Sequence, residues 1–175
     1  MSTFDNEDYK WRETYFVLFD SSKRPSLKRT QKMLRSLSDR YVLVNLEADE
    51  QGRFNSLTVL APDNNAALDI SYVSGEEVLV QTATMIEDMK LELADKGDKG
   101  DEEDQENDPD IEKYVRLAKC DARFEVMHFE RVFDSGFSDE EPDDMLDPGA
   151  LLLILNALIE LCDGVGIDPQ SGTLV

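Results

Sequence analysis

Cations, histidine and cysteine are all scarce in this chain. Lys and Arg number 18 against 39 Asp and Glu, for a net charge of −21. A field of that sign repels nucleic acid and anionic membrane surfaces, so neither is expected as a partner. His128 is the sole histidine, so any Ser-His-Asp or Cys-His arrangement must run through it. Cys120 and Cys162 form no C-x-x-C or Cys/His cluster, and two cysteines are too few for a disulfide framework. Both are expected as reduced core residues rather than nucleophiles. The longest apolar run, residues 150–155, is far short of the roughly 20 residues that span a bilayer. The first eight residues are polar and acidic, the opposite of a signal peptide. A cytoplasmic protein is the expectation.

Chemical motifs are missing as well. No Walker sequence, G-x-G-x-x-G or other phosphate-cradling loop occurs. The aspartates at 95, 98 and 101 are regularly spaced, but their intervals and the lysines between them do not fit a calcium loop. No metal or cofactor is expected.

The acidity is uneven. Residues 95–110 carry a net −7 and residues 134–149 another −7, leaving −7 for all the rest. Like-charge repulsion and poor burial predict flexible acidic loops at about 95–108 and 134–147. The remainder is an ordinary globular composition, with 41% hydrophobic residues over the chain, and one domain over 1–175 is expected.

Hydrophobic periodicity supplies the elements. Residues 14–19 and 41–46 read as buried strands, and 26–38 as a helix between them. Residues 54–60 and 68–73 read as a hairpin around Pro62-Asp63-Asn64-Asn65. Ser74-Gly75-Glu76-Glu77 has capping-box spacing before a long helix. Pro109 starts a short helix and 122–132 a strand, with His128 on the face of Phe124 and Val126. Residues 150–162 are so apolar that a helix buried nearly all round is expected, either central in the chain or sealed by a partner, and ended by Gly164. A terminal hairpin closes on Asp168-Pro169-Gln170-Ser171-Gly172, residues suited to a turn. The order is β-α-β-β-β-α-(α)-β-α-β-β. It predicts an α+β fold, mainly an antiparallel sheet with helices packed on one face. The opening resembles a ferredoxin-like variant, here with a C-terminal helix–hairpin appendix.

The most localised polar feature is basic. Arg24, Lys28, Lys32 and Arg35 fall within about a quarter of a helix circumference, flanked by Lys23 and Arg29. No acid lies between Ser21 and Ser38. This set is the candidate site for an anionic ligand or acidic partner, against the commoner reading of a solvated amphipathic face. A lone His128 on an apolar strand reads first as a packed residue.

The runs YFVLFDSSKRPSL, SLTVLAPDNNAALDISYVSGEEV, KCDARFEVMHFE and MLDPGALLLILNALIELCDGVGIDPQSGTLV resemble an uncharacterised family of bacterial cytoplasmic proteins. The resemblance implies a bacterial, cytoplasmic setting and carries no activity, cofactor or catalytic residue. The leading functional expectation is therefore a non-enzymatic interaction or regulatory protein, as a homodimer or with a protein partner. The rivals are a sensor of an anionic small molecule at the basic helix, and an enzyme centred on His128 with Cys120, Asp121 or Glu125. An acidic mimic of nucleic acid would need its carboxylates on a rigid surface.

Overall fold

The structure, a computed structural model, describes residues 5–96, 109–132 and 148–175. The expected acidic loops fall almost wholly outside the described residues.

The element order is the one the periodicity predicts. Strand β1 (Tyr9–Phe19) leads to helix α1 (Leu27–Leu37), then β2 (Val42–Ala48), β3 (Phe54–Ala61) and β4 (Ala66–Ser74). Helices α2 (Glu76–Lys96) and α3 (Pro109–Leu117) precede β5 (Ala122–Arg131), and α4 (Gly149–Cys162) precedes β6 (Val165–Asp168) and β7 (Thr173–Leu174). The seven strands form one sheet, ordered β2-β3-β4-β5-β1-β6-β7.

Every described pairing is antiparallel. A split βαβ unit leaves one strand between its two parallel strands, whereas β3, β4 and β5 stand between β1 and β2 here, so the likeness to a ferredoxin-like fold stops at the opening order of elements. The terminal hairpin is part of the main sheet, because β6 pairs with β1 from Phe16–Ile167 to Leu18–Val165.

The helices lie on both faces, not on one. Strand residues alternate sides, and β1 divides accordingly. Val17 and Phe19 join Leu68, Ile70, Phe124 and Val126 in a core closed by Leu34 of α1 and Leu151, Ile154, Leu155 and Leu158 of α4. Leu18 points the other way, to a second core with Val165, Ile167, Val78 and Met89 of α2, and Leu117 at the end of α3. An alternation read only as core-against-solvent misses a second covered face.

Two further expectations change. β2 is an edge strand and largely exposed, Val42 and Leu46 included, rather than buried. α4 buries one side, but Leu152 and Leu153 on its other side stay 46% and 52% exposed within this chain. Among the described residues, no helix is long and apolar enough to cross a membrane.

Candidate functional site: the basic face of helix 1

Ser26 starts α1. Its backbone is extended and its hydroxyl accepts from the Arg29 N–H at 3.1 Å, satisfying one of the donors a helix start leaves open. The approach is pinned to the sheet: the Phe54 N–H donates to the Pro25 carbonyl at 3.0 Å and the Leu27 N–H to that of Gly52 at 2.9 Å. Thr30 and Leu34 are buried against the sheet and α4, which fixes the helix's rotation. The opposite side presents Lys28, Arg29, Lys32 and Arg35, all exposed. By the ~100° step per residue, Lys28, Lys32 and Arg35 lie within about 60° of one another and Arg29 within about 120°.

Arg24 does not belong to this face. It precedes the cap, and its side chain is only 10% exposed. Its guanidinium donates to the Phe54 carbonyl from Nε at 2.9 Å and Nη2 at 2.7 Å, and lies beside Asp49 at 3.6 Å. Of the expected set, the fold brings Lys28, Lys32 and Arg35 together and uses Arg24 internally. Arg29, flanking in the sequence, takes a place on the face.

What sets the four α1 cations apart is that they share one helix face, for Lys10, Lys90 and Lys119 are also exposed and without a carboxylate partner among the described residues. Arg12, Lys23, Arg24, Arg40, Arg53, Arg116 and Arg123 each meet a carboxylate. Lys28, Arg29, Lys32 and Arg35 meet none among the described residues. Lys28 and Arg29 moreover sit at the positive end of the helix dipole, whose first turn holds no acid.

His128 is 1% exposed, with Nδ1 3.2 Å from Glu13 Oε1 across the β1–β5 pair. Tyr15, two residues along on the same face, has its phenol pushed up by burial and by the charges of Glu13 and Asp168. The other residues expected around His128 are elsewhere. Cys120 lies at the far end of β5, its thiol pushed up to about 11 by burial. Asp121 accepts from the Ser21 N–H and hydroxyl, both at 2.7 Å. Glu125 accepts from the Arg123 guanidinium, at 2.6 Å from Nη2. Sequence reasoning missed Glu13 and Tyr15; their alternation in β1 was the available signal, but the pairing register was not.

The Asp168–Gly172 segment is occupied with its own turn. Asp168 accepts from the Gln170 N–H and the Ser171 hydroxyl, both at 2.9 Å, and Gly172 takes φ +69°. Among the described residues no group of three or more His, Cys, Asp or Glu is placed to hold a metal ion.

Comparison with family models, with curated proteins and with solved structures yields no match. The resemblance to a bacterial family gains no support from these comparisons, and the functional reading rests on the geometry.

Proposed function

We propose that the chain is a non-enzymatic interaction protein that docks a short acidic stretch of another polypeptide on the outer face of α1. The carrying observation is the set of four exposed cations on one helix face, unmatched among the described residues, in a chain of net charge −21. An 11-residue helix is about 16 Å long. A short run of carboxylates fits that length. Debye screening over about 8 Å at physiological salt lets the local patch act despite the overall charge.

An open helix face encloses nothing, which favours a polypeptide over the alternative of a sensed anionic metabolite. The enzyme alternative has one of its requirements, Glu13 beside His128, without Cys120, Asp121 or Glu125. A cytoplasmic and bacterial setting belongs to the same proposal, and two free buried thiols fit it.

The test is fluorescence anisotropy of a labelled short oligoglutamate with the full chain. Binding is expected at low salt, declining as salt rises, and abolished in K28E/K32E/R35E with folding unchanged. No binding at low salt, or equal binding by the triple variant, would overturn the reading. Thermal stabilisation by anionic metabolites, lost when these three residues become Ala, would favour the sensor instead.

A further inference from the structure

On the sheet face away from α1 and α4, α2 starts at the Ser74–Ala122 end of β4 and β5 and runs to β7, where Met89 meets Gly172. Over β2, β3 and β4 the same face holds a cavity of about 380 Å³. Its floor is polar although its side chains are little exposed. Asp69 and Thr58 are 9% and 6% exposed, and the Thr58 hydroxyl donates to Asp69 Oδ1 at 2.6 Å. Asn45 extends the chain, its amide 3.4 Å from the Thr58 oxygen.

The rim is made by an irregularity in β2. Val44 pairs with Thr58 and Glu47 with Ser56, so β2 holds one residue more than β3 over this stretch. Asn45 absorbs it with a left-handed φ of 54°, which Asn tolerates better than most residues. The result sets Asn45, Leu46 and Glu47 around the opening, with Met127 across from them.

We propose that this cavity binds a small organic cation: an ammonium group on Asp69 and Glu47, and a short apolar body on Leu46 and Met127. The volume lies in the small-molecule range of about 300–1,000 Å³ and is far larger than a bare ion needs. A hard dication also requires about six or more oxygen ligands, and the described residues offer no cluster of three His, Cys, Asp or Glu. The lining includes two carboxylates, an amide and hydroxyls, with no Lys, Arg or His. Its field and its acceptors both select a positively charged donor over an anion.

The probe is n-butylammonium chloride added to the isotope-labelled full chain, followed by amide chemical shifts, with n-butanol and sodium chloride as matched controls. Saturable shifts at Asn45, Thr58 and Asp69 are expected with butylammonium and not with either control. Affinity should fall by about tenfold or more in D69N, as expected for loss of a charge-assisted hydrogen bond. E47Q, at an exposed position where folding is insensitive, should weaken binding in the same direction. Shifts spread evenly over surface carboxylates, equal shifts with n-butanol, or unchanged affinity in folded E47Q would each overturn the proposal.

Discussion

The Arg24 guanidinium carbon sits 3.9 Å from the centroid of the Tyr72 ring. Tyr72 itself lies in an aromatic group with Phe19 and Phe124, so this cation caps the first core while its nitrogens hold the Phe54 carbonyl. Removing it leaves that acceptor unmet and uncovers the ring. Arg24→Ala is expected to cost about 2–4 kcal/mol in urea denaturation. Arg24→Lys should recover less than half, because an ammonium cannot make the forked contact and stack at once. Lys32→Ala, on the exposed face, should stay within about 0.5 kcal/mol of the parent.

Gly164 has no room for a side chain. A Cβ there would lie 2.7 Å from the Leu18 carbonyl oxygen, 3.0 Å from Cys162 Sγ and 3.1 Å from Val17 Cγ1. The first is backbone of a central strand and cannot step aside. Gly164→Ala should therefore cost about 2–4 kcal/mol. At Gly166 the nearest atom is Ile159 Cδ1, the mobile end of a side chain, at 2.8 Å. Gly166→Ala should cost less, about 1–2 kcal/mol, with the two compared in parallel thermal melts. The reverse ranking would contradict this packing.

Both thiols are built to stay protonated. Burial pushes Cys162 up to about 12 and Cys120 up to about 11, from an ordinary 9.0. Thiolate is the reactive form, so neither should react with a disulfide reagent near neutral pH until the chain unfolds. Because the folded values are raised, their contribution to stability is complete below pH 9.0 and is lost as pH rises toward the folded values. Rapid labelling of the native protein near neutrality would contradict this.

Asp163 titrates in the opposite sense. A hydrogen bond from Lys23, the charge of Lys23 and that of Arg116 hold its carboxyl below the ordinary 3.8. The Lys23 Nζ is 2.6 Å away and Arg116 Nη2 3.2 Å. A depressed folded value means stability present above pH 3.8 and lost as pH falls through the folded value. In Asp163→Asn, which keeps the left-handed cap, denaturation midpoints should lie below the parent's above that pH and converge with them in stronger acid. A difference that persists unchanged in acid would mean the effect is not this ion pair.

Local patterns were readable because local forces make them. The eleven elements, the Ser26 start of α1 and the Asp168 turn all follow from spacing and from residues suited to caps and turns. What failed was non-local. The sequence around Gly164 matches a helix terminator, but Asp163 holds the left-handed cap at φ 50°, and glycine is required by the approach of Leu18. Ser74 ends β4, with Gly75 at φ +114° making the turn into α2, so the capping-box spacing was coincidental. Arg24 follows the helical spacing of Lys28 and Lys32 without being on the helix, a distinction made by Pro25 and Ser26. The β2–β4 cavity depends on a bulge whose only local trace is an asparagine at 45, and asparagine is common for many reasons.

The basic face of α1 works against its own helix, which gives the proposed function a prediction of unusual sign. Lys28 and Arg29 oppose the dipole at the N-terminus, an effect of about 0.3–1 kcal/mol per charge. Lys28 and Lys32 repel at i, i+4, and Arg29 and Arg35 each repel Lys32 at i, i+3, by about 0.2–0.5 kcal/mol per pair. A surface chosen only for solubility in an acidic protein would carry glutamates in that first turn. K28E/R29E should therefore be more stable than the parent, by about 0.5–1.5 kcal/mol, because it reverses the dipole clash and turns two repulsive pairs, Lys28–Lys32 and Arg29–Lys32, into attractive ones. The same variant should lose oligoglutamate binding. Stability gained with binding lost separates a docking face from a structural one, for which stability alone would move. A destabilised double variant would mean that these cations have partners that hold the helix in place, and the docking face would lose its main support.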